Sequence, residues 1–226
     1  MAVALPLFPL HTVLLPGANL PLHIFEPRYR QLTVDLVTET VPDRRFGIIT
    51  LRPGTDIEVT GMDQVRPIGC AAVLREAKRL PDGQFDIVVT GEQRFRLLEL
   101  DVSAAPYLVG AVEWVPDVSH PHPAPAPVAQ LISSARAAHR RYCGAAWQRD
   151  DWTEPAVDTA PAELAHLLAA DCLLAIEDRQ LVLEEIRPLH RLRLVSQLLN
   201  REAGILAALH AVPAPPPGFH TPTCLN

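Results

Sequence analysis

Between Pro116 and Pro127 five of the twelve residues are proline, in the run PDVSHPHPAPAP. Repeated proline removes main-chain donors and holds φ near one value, so this stretch should neither extend a strand nor start a helix early. The apolar pattern changes across it. On the N-terminal side short Val-, Ile-, Leu- and Phe-rich runs alternate with turn residues, as strands do; on the C-terminal side apolar residues recur every three or four positions, as in helices. The expected organisation is a β-rich subdomain over residues 1–116, a proline-rich linker over 117–127, a helical bundle over 128–211 and a flexible tail over 212–226. In that tail five more prolines leave little to bury. The fold class is α+β.

Strands are expected at Ala4–Phe8, Leu20–Ile24, Phe46–Leu51, Gly69–Arg79, Phe85–Thr90, Arg94–Leu100 and Leu108–Trp114, punctuated by Gly17, Pro53-Gly54, Pro81-Asp82-Gly83 and Gly91. Pro81-Asp82-Gly83 has the chemistry of a tight hairpin: a fixed φ, then two residues that tolerate positive φ. Phe85, Ile87 and Val89 share one face of the strand that follows. One helix is expected from Pro27, with Glu26 beside the positive end of its dipole and Tyr29, Leu32, Leu36 and Val37 forming a stripe that seals an open end of the sheet. In the second half, Val128, Leu131, Ile132, Ala135, His139 and Tyr142 keep helical spacing, as do Leu164, Leu167, Leu168 and Cys172. A third helix spans Asp178 to about Arg187, and beyond Pro188 a longer one carries Leu192, Val195, Leu199, Ala203 and Leu206.

An apolar fraction of 48% supports a buried core, and no apolar run approaches the roughly 20 residues that cross a bilayer. With no charged segment leading into an apolar one at the N-terminus, the expectation is a cytoplasmic protein without a membrane partner. Cys70, Cys143, Cys172 and Cys224 form no C-x-x-C pair, which points to reduced thiols. The net charge of −6 argues against a general nucleic-acid binder, which needs excess cationic charge to displace counterions.

Three stretches together carry a family resemblance. LPLFPL at 5–10 leads through Leu14-Leu15-Pro16-Gly17 to LPLHIFEPRY at 20–29; Ile68–Val73 and Leu80–Gln84 follow, and then Gly91–Leu97. Their order and spacing over residues 5–114 resemble the N-terminal, substrate-binding domain of Lon proteases, and Asp178–Glu184 resembles that family's helical extension. The resemblance implies a PUA-like, twisted β-barrel subdomain with one helix, followed by an α-helical bundle. It also implies binding of protein or unfolded polypeptide, in a stand-alone bacterial member without the ATPase or peptidase.

Lysine count bears on that last point. The Lon peptidase uses a Ser-Lys dyad, in which lysine takes the nucleophile's proton, and the ATPase needs a further lysine in G-x-x-x-x-G-K-[ST]. Beside nineteen Arg there is one Lys, Lys78, which no such motif contains. Arginine stays protonated and cannot serve as the base. No enzyme activity, cofactor or ATP site is therefore expected.

Other constellations are weaker. His139 and Cys143 are i, i+4 on a helix but lack two further ligands beyond His120 and His122 of the linker, so a half-buried helix face is the better reading and no metal is expected. Ser133-Ser134 sit mid-helix with no G-x-S-x-G elbow. Arg187, Arg191, Arg193 and Arg201 form either an anion-binding strip or, preferred, a solvated face balanced by Glu184, Glu185 and Glu202. Phe25, Glu26, Arg28 and Tyr29 are the candidate partner-binding rim. At that junction packing is also expected to draw Phe25 and Tyr29 inward, while Glu26 accepts backbone donors. The preferred function is a non-enzymatic module that binds apolar or extended segments of protein partners, in a groove between the lobes or along a sheet edge. The alternative is a PUA-like small-molecule or nucleic-acid binder.

Overall fold

The computed structural model describes residues 2–55, 58–118, 125–146 and 152–209. The tail at 212–226, Cys224, and His120 and His122 of the linker lie outside them. The N-terminal half forms β1 (Val3–Leu10), β2 (Asn19–Ile24), α1 (Pro27–Val37), β3 (Arg45–Thr50), β4 (Ile68–Arg79), β5 (Phe85–Asp101) and β6 (Leu108–Trp114). The C-terminal half forms α2 (Pro125–Ala146), α3 (Pro161–Ala170), α4 (Ile176–Glu184) and α5 (Pro188–Leu209).

Strand pairing closes a ring. β1 runs parallel to β3 and antiparallel to β6, β3 pairs with β4, β4 with β5, and β5 with β6. Closure satisfies the ring's edges, leaving β2 as an outrigger on the first half of β5. The two strands expected around Gly91 are one continuous strand, because Gly91 marks a change of partner and not a turn. Its N–H donates to the Ala18 carbonyl at 2.9 Å while its own carbonyl accepts from Gly17 at 2.8 Å. A side chain at Gly91 would overlap the Leu15 carbonyl oxygen. Past that point β5 leaves β2 and takes up β6.

Side-chain parity separates two cores. Leu5, Leu7, Ile49, Ala71, Phe95, Leu97, Leu108 and Val112 fill the inside of the ring. A methyl on Gly47 would lie 2.8 Å from both the Leu7 side chain and the Phe95 ring, so glycine there makes room for the aromatic. Phe8, Phe46, Ile48, Leu74, Val89 and the buried faces of all five α-helices form the second, larger cluster on the outside of the ring. The α1 stripe belongs to this cluster, with Tyr29 stacked on Phe8 at 4.0 Å between centroids. The helix therefore covers the outer wall and does not seal an open end, since Phe8 and Phe46 alternate with the inward residues Leu7 and Gly47. Val37, expected on that stripe, is exposed at the end of the helix, and Thr33 is buried in its place.

The hairpin turn follows the sequence expectation. Leu80 N–H donates to Gln84 at 2.9 Å, Gly83 N–H donates to Leu80 at 3.0 Å, and Gly83 has φ +82°. This is the three-residue hairpin with one left-handed residue. Helix boundaries shift at prolines. α2 starts at Pro125, inside the stretch expected as linker, and Pro188 opens α5, because a first-turn proline loses a donor that has no intrahelical acceptor.

The lobes are clasped through buried charge. Arg191 on α5 is 0% exposed and forks onto Asp117, with Nη1 and Nη2 each 2.8 Å from a carboxylate oxygen. Arg94 on β5 pairs with the same carboxylate and donates to the Leu183 and Glu185 carbonyls at 3.2 and 2.8 Å. The arginine strip expected as a solvated face is thus broken up. Arg191 points into the lobe junction, while Arg187 pairs with Glu185 and Arg201 with Asp178 and Glu202 at the surface.

Candidate functional site

Of the four rim residues, the strand-to-helix junction separates the roles. Phe25 is 60% exposed, against an expectation that it packs inward, while Tyr29 is 3% exposed. Phe25 falls between the last strand residue, Ile24, which is buried, and the first turn of α1, and so projects from the corner. Glu26 occupies the N-cap position with extended backbone but makes no side-chain cap, contrary to expectation. Its carboxylate instead accepts from Arg28, 2.9 Å from Nε and 2.8 Å from Nη2. The Arg28 guanidinium in turn lies 4.8 Å from the centre of the Tyr29 ring. Burial pushes the Tyr29 hydroxyl up to about 12, so it stays neutral. The rim is one charged pair laid over a buried aromatic, with a second aromatic left in solvent beside it.

β2 leads up to Phe25, and its pairing was not read from the sequence. Because Gly91 N–H donates to the Ala18 carbonyl, alternation along the antiparallel ladder turns residues 20, 22 and 24 toward β5. The main-chain groups of Asn19, Pro21 and His23 then face the other side, where no described strand pairs. Pro21 fits this edge because it has no donor to lose. Six residues at about 3.3 Å each make an edge of ~20 Å. At its far end Asn19 borders a cavity of about 290 Å³ between the lobes, lined also by Gly17, Thr153, Pro155, Leu167 and Asp171.

His23 fixes the exposed face of this strand. Its Nδ1 lies 2.8 Å from Asp86 and its Nε2 2.6 Å from the Gln84 side-chain oxygen, both acceptors. The hydrogen bond to Asp86 is the largest influence raising the His23 pKa. When protonated, the ring donates to both and ties β2 to β5 across the sheet; it lies 6.4 Å, centroid to centroid, from Phe25. The signal available in the sequence was weak: a histidine two residues before Phe25 has no partner until Asp86 is placed opposite it by register.

A second, more apolar groove of about 570 Å³ lies at the α4–α5 corner, lined by Val118, Leu181, Ile186 and Leu194 with Glu184, Glu185 and Arg187. Elsewhere, His139 and Cys143 are fully buried, not half-buried, with Nε2 and Sγ 3.6 Å apart. Among the described residues no group of three or more His, Cys, Asp or Glu side chains is placed to hold a metal ion. None of the described helices is long and apolar enough to cross a membrane. Lys78 is exposed on β4 before the hairpin turn.

These features define a class of α+β protein, a closed β ring carrying an outrigger strand and a helical lobe packed on its outer wall. The chain belongs to the family of the ATP-dependent protease La (LON) substrate-binding domain, whose model matches residues 4–201. It is 32% identical over 206 residues to a Lon protease of Anaeromyxobacter dehalogenans, covering 89% of this chain and 24% of that protein. It is 28% identical over 207 residues to Lon protease 1 of Thermus thermophilus, covering 89% and 25%. The chain thus spans about a quarter of the length of these curated relatives. Among solved structures, the Lon N-terminal domain protein from Xanthomonas campestris superposes with a TM-score of 0.61 at 25% identity, covering 93% of this chain and 99% of that one. The N-terminal domain of a Mycobacterium avium complex Lon protease shares the fold, with a TM-score of 0.64 at 19% identity.

Proposed function

We propose that this protein is a non-catalytic binding module that takes up extended, apolar segments of polypeptide partners along the free edge of β2, with Phe25 as the apolar anchor. The observation that carries the reading is the 60% exposure of Phe25 at the end of an unpaired strand edge. An added strand gains affinity from main-chain hydrogen bonds and specificity from side-chain contacts, and exposed aromatic anchors dominate such interfaces. Pro21 supplies a carbonyl but no N–H, so the added ladder is interrupted and the binding weak and tolerant of sequence. The family's description as a substrate-binding domain supports a polypeptide ligand.

Nucleic acid has less support. Arg187, Arg191 and Arg201 are committed to carboxylates within the chain, so the strip that favoured an anionic partner does not assemble.

The test is titration of the protein with a permanently unfolded polypeptide, reduced and carboxymethylated α-lactalbumin, at low and high salt. The expected result is saturable binding that changes little with salt and that Phe25→Ala weakens about fivefold or more, the loss of an anchor worth ~1 kcal/mol. Amide exchange at Asn19 and His23 should slow in the complex. Binding unaffected by Phe25→Ala, with no added protection on β2, would exclude this edge.

A further inference from the structure

Among the described residues β1, β3, β4, β5 and β6 each pair with at least two strands, whereas β2 pairs with β5 alone. An edge of that kind is a template for any strand that meets it, a second copy of the same chain included. Phe25, exposed at the end of the edge, adds an apolar contact that favours such pairing. Folded chains commonly blunt an edge with lysine, with a bulge or by covering it. The strand NLPLHI carries no lysine or carboxylate, and its register with β5 runs without a shift from Asn19 opposite Thr90 to Ile24 opposite Phe85. No described strand lies beyond it. The side chains on either side of Pro21 are held back over the sheet, Asn19 accepting from Thr90 at 2.7 Å and His23 bound to Asp86 and Gln84. Pro21 is the feature that acts on the edge itself.

Its position in the strand decides what it does. The main chain of Asn19, Pro21 and His23 faces outward, so Pro21 is the middle of the outward residues. Two copies joined edge to edge and antiparallel are related by a two-fold axis. The axis that overlaps all the outward residues passes through Pro21. Asn19 of one copy then faces His23 of the other, and Pro21 faces its own counterpart. In such a ladder each outward pair exchanges two hydrogen bonds. Both bonds of the central pair need a Pro21 N–H, so neither forms, and each pyrrolidine ring is set against the carbonyl oxygen that would have accepted. A shifted register gives no escape, because symmetry makes any register that overlaps Pro21 meet it twice. A foreign strand meets it once and still has the Pro21 carbonyl as an acceptor.

We infer that Pro21 is a specificity-determining residue of the β2 edge: it bars pairing with a second copy of this chain while leaving the edge open to a foreign extended segment. The inference rests on the reading of β2 as a polypeptide-binding edge and names what that edge refuses. One missing donor weakens a foreign ladder by one hydrogen bond, and the same missing donor weakens the symmetric ladder by two. The preference for a foreign segment over a second copy is therefore built from a single residue, with no charge on the strand edge to repel an anionic or cationic partner.

The experiment compares the full chain with Pro21→Thr, which restores the donor with a residue suited to strands, and with Pro21→Val, which does so without a hydroxyl. Near-UV circular dichroism matching the parent chain checks that each is folded. Self-association is measured by sedimentation equilibrium, and reduced, carboxymethylated α-lactalbumin is titrated at protein concentrations below the self-association constant. One restored hydrogen bond should tighten α-lactalbumin binding about fivefold, and two should tighten self-association about thirtyfold, near the square of the first factor. In the self-associated variants amide exchange at Asn19, at position 21 and at His23 should slow. Self-association unchanged from the parent chain in both variants overturns the inference, as does tighter self-association that leaves exchange on β2 unaltered. If α-lactalbumin binds no form of the chain while replacement of Pro21 brings copies together through β2, the polypeptide-binding reading fails and the block on self-pairing stands.

Discussion

Asp117 lies in a stretch whose prolines mark it as a connector, yet two buried guanidiniums converge on its carboxylate. Arg191 approaches with both terminal nitrogens at 2.8 Å and Arg94 shares one of the same oxygens. Removing one partner from such a group leaves charge buried without compensation, which costs more than the pair itself contributes. Asp117→Ala should therefore destabilise the protein by roughly 3 kcal/mol, measured by urea unfolding. A change below ~1 kcal/mol would mean that water reaches both guanidiniums. Sequence could not reveal this contact. Arg94 alternates with Phe95 in a strand, Arg191 sits among surface-like charges, and 74 residues separate Arg191 from Asp117. Phe25 was misread for a related reason: an aromatic near a helix start usually packs inward, and only the burial of Ile24 and Tyr29 on either side leaves Phe25 outside.

At the scale of the element, β2 is a single strand hung on the first half of β5, and His23 is its polar fastening. The folded pKa of His23 is raised above 6.5 by Asp86, so this fastening is fully present below pH 6.5 and is lost as pH rises through the folded value. Amide exchange along β2 should therefore quicken as pH climbs past that point, after correction for the intrinsic rate. Asp86→Asn should bring the His23 titration, followed by NMR, back toward the ordinary value and remove the pH dependence of β2. An unchanged His23 titration in that variant would show that Asp86 does not hold the proton. The strand itself was legible, because Leu20-Pro21-Leu22-His23-Ile24 reads as extended and its bounds differ by one residue from Asn19–Ile24. Its free edge was not, because that depends on which neighbour β5 takes on each side of Gly91.

Across the whole molecule, the two halves share one hydrophobic cluster, and the charged clasp lies at their junction beside His166 of α3. That imidazole is buried with Nε2 unpaired, and its pKa is lowered well below 6.5 by desolvation first and then by the cations Arg191 and Arg94. The unfolded chain consequently takes up this proton before the folded one does. Stability is fully present above about pH 6.5 and falls below it, by up to ~1.4 kcal/mol per pH unit for one proton. His166→Leu should flatten that part of the stability–pH curve, measured by urea unfolding at successive pH values; an unaltered slope would assign the acid sensitivity to other groups. The sequence by itself determined the elements, since alternation, helical spacing, the Pro81-Asp82-Gly83 turn and the first-turn Pro27 act within a few residues. It also carried the family, through short motifs in a fixed order. Tertiary structure alone decided which strands pair to close the barrel that the resemblance implied, that the helical lobe packs on the ring's outer wall, and that Phe25 and Arg191 find their respective surroundings. Those outcomes depend on contacts between residues far apart in the chain, which local pattern does not encode.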